Sequence, residues 1–241
     1  MLHIFLFCVG CCIGSFFNVA LSRHDWYRGR SRCGSCGQKL NWYDLIPVAS
    51  YLVYRGRCRR CGAAIGIRHP AAEIFMGSAF MCASLQSEGA GLYVGAMIFT
   101  GLFFLCLSAI QDMSEQMIYN WILCGGIMFC GLLRSASLLL GGHAKAAVWF
   151  AVSVCVLKLF LFFAAKAMKH KIGEGDFDIF LLLYVLCGAY GAVVSVALGS
   201  GIGCLLYIPA VIMKRYERTQ PLPFAPLLFV GCVMQLLWFH T

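Results

Sequence analysis

The chain has 241 residues, 61% of them hydrophobic and 12% charged, with a mean hydropathy of +0.81 and a formal net charge of +9. That balance excludes an ordinary soluble domain of this length and points to a bilayer as the solvent. The basic excess does not indicate nucleic acid, because it is gathered in three stretches: ten of the nineteen Lys and Arg lie in 22–70, three in 166–171 and three in 214–218.

Apolar runs near the ~20 residues needed to cross the hydrocarbon core are expected at 2–21, 92–111, 117–140 and 145–166. Weaker ones follow at 71–86, interrupted by Glu73, and at 224–240. Residues 177–213 are too many for one crossing, so they are divided into 177–189 and 190–213 near Gly188 and Gly191. The expectation is an all-α polytopic membrane protein of about eight transmembrane helices. The first run is read as a retained span and not a cleaved signal, because its basic charge follows the run. With eight spans and the N-terminus outside, the three basic loops share one face, which the positive-inside rule makes cytosolic. The chain divides into a first helix (1–21), a hydrophilic cytosolic module (22–70) and a membrane-embedded core (71–241).

Fifteen cysteines are present, eleven of them scattered as single small apolar residues. The other four form two CxxC pairs, Cys33-Gly-Ser-Cys36 and Cys58-Arg-Arg-Cys61, in the hydrophilic module. Two such knuckles supply the four-sulfur set that zinc favours in structural sites, and a cytosolic position disfavours disulfides. The module has few aliphatic residues, so the metal would supply much of its folding free energy. A closed four-sulfur site leaves no position for a reactive water, so the metal is read as structural.

Five of the ten acids fall at two bilayer boundaries: Asp112 and Glu115 after the third span, and Glu174, Asp176 and Asp178 before the sixth. A carboxylate there is costly unless it faces a polar cavity or partner. A lone Asp before a helix is an ordinary N-cap, so Asp176 alone proves little. Two neighbouring aspartates, however, cannot both ionise easily and share one proton, which suits peptide hydrolysis: one takes a proton from the attacking water while the other donates to the carbonyl oxygen. Gly173 and Gly175 would let an extended substrate approach the backbone closely. A proton-coupled transporter using Asp112, Asp176 and Glu73 as relays would instead show inverted repeats, and none is evident. A non-catalytic scaffold would leave the acid pair unexplained.

Taken together, Gly14-Ser15-Phe16-Phe17-Asn18-Val19, Asp44-Leu45-Ile46-Pro47, the two cysteine knuckles, Arg68-His69-Pro70, Glu73, Asp112, Gly173-Glu174-Gly175-Asp176 and Pro223-Phe224-Ala225-Pro226 resemble the bacterial prepilin peptidases over nearly the whole chain. The resemblance implies an aspartic endopeptidase of the inner membrane with Asp112 and Asp176 as the catalytic pair. It would cut short basic leaders from pilin-like or pseudopilin precursors at the cytosolic face. Many members also methylate the new N-terminus, which would use S-adenosylmethionine. Two departures stand out: Tyr119 where the family usually has proline, and Asp178 where a lysine commonly follows the catalytic motif. The strongly basic 22–70 segment would repel a basic leader and suits anionic lipid headgroups. Glu115, Glu174 and Asp178 are therefore the expected acidic docking residues for the leader.

Overall fold

The computed structural model describes residues 1–22, 30–88, 91–167, 174–212 and 223–238, and among them the regular secondary structure is helical, with two isolated β-bridges and irregular backbone in 30–67. The helices are α1 (Leu2–Ser22), the short α2 (Ala49–Val53), α3 (Arg68–Gln86), α4 (Leu92–Glu115), α5 (Asn120–Leu140), α6 (Ala144–Ala167), α7 (Glu174–Ile212) and α8 (Ala225–Trp238). Among the described residues, five segments are long and apolar enough to cross a membrane: Leu2–Leu21, Leu92–Glu115, Asn120–Leu140, Ala144–Ala167 and Gly175–Pro209; Ala225–Trp238 is a shorter apolar helix. The chain is a multi-pass membrane protein.

At about 1.5 Å per residue, α7 would be roughly 58 Å long, far more than the ~30 Å hydrocarbon core. It is not continuous: Gly188 has φ 75° and ψ 179°, which interrupts the helix. A conformation at positive φ is open to glycine at no steric cost. The division of this stretch near Gly188 follows the sequence expectation, and with it the apolar helices and half-helices, α1, α3 to α6, both halves of α7 and α8, correspond in order to the eight expected segments.

The chain forms two compact units, Met1–Met81 and Cys82–Thr241. In the first, α1 and α3 meet through small residues, and a Cβ on Gly14 would lie only 2.7 Å from the Ala72 carbonyl oxygen. This is the close backbone approach by which helices associate where no hydrophobic driving force acts between them. The Asn18 Nδ2 amide and His69 Nδ1 are 2.7 Å apart, linking the same two helices. The Glu73 carboxylate accepts the Val48 backbone N–H at 2.7 Å, tying α3 to the start of α2. The residue that interrupts the apolar run at 71–86 therefore has a polar partner, which a half-buried carboxylate needs.

In the second unit the core lies among α4, the first half of α7 and α8, where Leu102, Leu105, Ile110, Ile179, Leu182 and Phe229 are fully buried. The second half of α7 crosses α8 at glycines: a Cβ on Gly231 would stand 2.2 Å from the Ser195 carbonyl oxygen. α6 is the outer element, with Trp149, Val156, Leu159, Phe160, Phe162 and Phe163 exposed. An apolar face of this size suits lipid contact and not water.

Candidate functional site

Each CxxC knuckle is built the same way. Cys33 N–H donates to the Gln38 carbonyl (2.9 Å) and Gly37 N–H to the Cys33 carbonyl (3.0 Å); Cys58 N–H donates to Ala63 (2.8 Å) and Gly62 N–H to Cys58 (2.9 Å). The bridges Arg32–Lys39 and Arg57–Ala64 close the two loops. Gly37 and Gly62, one residue past the second cysteine of each pair, have φ of 68° and 71° and make the turn. Gly34, inside the first pair, is not at positive φ.

The four Sγ atoms of Cys33, Cys36, Cys58 and Cys61 lie within 4.8 Å of one another, and Cys33 Sγ is 3.9 Å from Cys61 Sγ. A tetrahedral zinc with Zn–S near 2.3 Å needs sulfurs about 3.8 Å apart, so the set fits such an ion. Backbone N–H groups of Cys36 and Ser35 bring the Cys33 thiol down to about 6, while Cys61, in contact with the Cys58, Cys36 and Cys33 thiols, is pushed up to about 11. The cluster has the geometry to hold a metal. The same unit carries an open cavity of about 840 Å³ whose lining includes Ser15, Tyr43, Asp44, Arg59, His69 and Glu73.

The two aspartates sit at the ends of facing helices in the second unit. Asp112 occupies the last turn of α4, is 8% exposed, and its backbone carbonyl accepts the Gln116 N–H (3.0 Å), Gln116 being left-handed with φ 53°. Its Oδ2 accepts the Ala225 N–H at 2.9 Å, from the first turn of α8. Helix N-termini present N–H groups without helical partners, and a carboxylate satisfies them while sitting at the positive end of the macrodipole. Pro226, lacking an N–H, is tolerated in this first turn for the same reason. The motif Pro223-Phe224-Ala225-Pro226 thus holds Asp112 in place, a role that its sequence alone did not announce.

Asp176 lies in the first turn of α7 and within electrostatic reach of Asp112. The neighbouring Gly175 packs against the turn after α4, where an added Cβ would be 3.1 Å from Ile118 Cβ. Tyr119 organises that turn. Its N–H donates to Gln111 Oε1 (3.1 Å) and its hydroxyl to Glu115 Oε2 (2.9 Å). The first bond would be unavailable to proline, so the departure at 119 has a compensating contact. Gln111 is 1% exposed, and sequence reasoning missed it.

The remaining expected residues are not equivalent. Glu115 is exposed beside Asp112. Asp178 is 8% exposed and forms an ion pair with Lys158 of α6. A carboxylate already buried and neutralised has little to offer a basic ligand, so the expected acidic docking set is reduced at this position. Glu174 begins α7. Gly173 lies outside the described residues.

A family model, the bacterial peptidase A24 N-terminal domain, matches residues 8–87. The chain is 30% identical over 239 residues to a prepilin leader peptidase/N-methyltransferase of Bacillus subtilis (strain 168), covering 97% of this chain and 93% of that protein. It is 26% identical over 261 residues to the protein of the same name from Stutzerimonas stutzeri, covering 95% and 88%. A further relative of that name from Myxococcus xanthus (strain DK1622) is 46% identical over 81 residues, 32% of this chain and 24% of that protein. No solved structure matches the chain.

Proposed function

We propose, from the premise that this chain belongs to the prepilin leader peptidase/N-methyltransferase family, that it cleaves short basic leaders from pilin-like or pseudopilin precursors with Asp112 and Asp176. The observation that carries this reading is the fixed carboxylate of Asp112, held by the α8 N-terminus within electrostatic reach of Asp176. One aspartate, ionised, takes a proton from water as it attacks the scissile carbonyl. The other, protonated, donates to the carbonyl oxygen, and the proton arrangement is then reversed as the amine leaves. No covalent enzyme intermediate is required.

The reaction would take place at the cytosolic face of the bacterial inner membrane, because the three basic loops belong on that side. Anionic headgroups there complement the basic 22–70 segment, while exposed Glu115, with Glu174, attracts the leader. Cys33, Cys36, Cys58 and Cys61 would hold a structural zinc, which when bound cross-links the two knuckles of a segment poor in aliphatic core. The relatives' shared name supports N-methylation as a second activity, with S-adenosylmethionine as methyl donor.

The experiment is incubation of the purified full chain with a pilin-like precursor, followed by sequencing of the product's N-terminus. A single cut between leader and mature region supports the reading. A cut within the precursor's apolar helix would assign the chain to a different kind of membrane aspartic protease, and an uncut precursor would remove the proposal. Supplying methyl-labelled S-adenosylmethionine in the same incubation tests the second activity by label on the new N-terminus.

A further inference from the structure

Lys158 is the single charge between the ends of α6, with Val156, Leu159 and Phe160 exposed around it. A lysine at that depth in an apolar span is expensive without a counter-charge. Its Nζ donates to Oδ1 of Asp178 in the first turns of α7, with the lysine side chain 46% exposed and the aspartate side chain 11% exposed. Mutual neutralisation would explain why each charge needs the other. It does not explain why the pair is there at all, since well-packed apolar residues in such a place are often as stabilising or more so.

Its position supplies the explanation. Asp178 is two residues beyond Asp176, and at 3.6 residues per turn the two side chains leave α7 about 200° apart. Asp176 lies within electrostatic reach of Asp112. Asp178 is on the flank that meets α6. Further along, the Tyr184 hydroxyl donates to Ser153 Oγ at 2.8 Å, a second polar tie between α6 and α7 in the same antiparallel register. The start of α7 is thus tied to α6 at two points, which constrains its roll about the helix axis near Asp176.

We propose that Lys158 and Asp178 are a positioning pair for the aspartate dyad, fixing the roll of α7 so that Asp176 faces Asp112. The proposal rests on the reading of Asp112 and Asp176 as the catalytic pair. A carboxyl group about 5 Å from the helix axis moves about 1.7 Å when the helix rolls by roughly 20°. Proton transfer through one bound water tolerates heavy-atom separations of only about 2.6–3.2 Å per step. A misplacement of about 1 Å costs on the order of 100-fold in rate.

The test uses the full chain in lipid nanodiscs, a pilin-like precursor as substrate and steady-state kinetics that separate kcat from KM. Lys158→Met and Asp178→Asn are each expected to lower kcat about 100-fold with KM within about twofold, while the reversed pair Lys158→Asp/Asp178→Lys recovers to within about threefold of the parent. The apolar double variant Lys158→Met/Asp178→Leu leaves no unpaired charge, so it is expected to insert and denature like the parent yet keep a low kcat. A parental kcat in that variant overturns the proposal. So does a loss confined to KM, the mark of a leader-docking role, or a reversed pair no better than the single variants. Should the single variants fail to accumulate, the two double variants decide by the same criteria. Asp176→Asn is run alongside: if it cuts, the catalytic reading itself falls, whereas an inactive Asp176→Asn beside a fully active apolar double variant removes only the positioning pair.

Discussion

Under the proposed function Asp112 has two separable tasks, and two substitutions pull them apart. Its carboxylate would supply half of the dyad, and it also accepts the Ala225 N–H at 2.9 Å from a residue that is 0% exposed. Asp112→Asn retains an oxygen that can accept that N–H, losing only the charge assistance. Hydrogen bonds to charged groups contribute about 1.5–3 kcal/mol and neutral ones about 0.5–1.5, so the loss is about 1 kcal/mol. Asp112→Ala removes the acceptor and strands a buried N–H, costing about 1–3 kcal/mol more. For a chain of this size each kcal/mol is about 2–4 °C in Tm. Thermal denaturation in detergent should place Asp112→Asn about 2–4 °C and Asp112→Ala about 4–16 °C below the parent. Precursor cleavage should be lost in both, by at least about 100-fold, because the asparagine cannot exchange the proton. Equal Tm losses in the two variants would refute the capping role, and cleavage by the better-folded Asn variant would refute the catalytic one.

Replacing any one of Cys33, Cys36, Cys58 or Cys61 with Ser should lower bound zinc from about one per chain, read by elemental analysis, and lower Tm, as a single structural site predicts. Tyr119→Pro should cost about 1–3 kcal/mol by orphaning the buried Gln111 Oε1, whereas Tyr119→Phe, which gives up only the exposed bond to Glu115, should cost under about 1 kcal/mol; denaturation midpoints compare the two. Gly231→Ala should destabilise by about 3 kcal/mol or more, since its Cβ would sit 2.2 Å from a backbone oxygen of the facing helix that no rotamer change can move, and loss of folded protein by size-exclusion chromatography reports it.

The helices, the interruption at Gly188 and the two cysteine knuckles were legible in the sequence because each is written in local pattern: apolar length, glycine placement, and the C-x-x-C spacing followed by Gly37 or Gly62. The partners of the site were not. Asp112 and Ala225 are far apart in sequence, as are Lys158 and Asp178, and pairing at such separations is decided by how helices pack and not by any residue's neighbours. One signal was available for the first pair. Pro226 marks the first turn of a helix, whose free N–H groups must find acceptors, and an acid at the end of another apolar run is a natural candidate. For Asp178, the isolated Lys158 in an otherwise apolar α6 was the corresponding clue, since a charge within a span implies a counter-charge nearby.

The most direct measurement of the central claim is the single-turnover cleavage rate of one pilin-like precursor by the parent, Asp112→Asn, Asp176→Asn and the double Asn variant, each shown to be folded and membrane-inserted. Groups that act as one unit give non-additive losses, so each single variant should fall by at least about 100-fold and the double should fall little further. A single variant retaining more than about a tenth of the parental rate, or a double variant slower by the product of the two single losses, would contradict a shared-proton pair of Asp112 and Asp176.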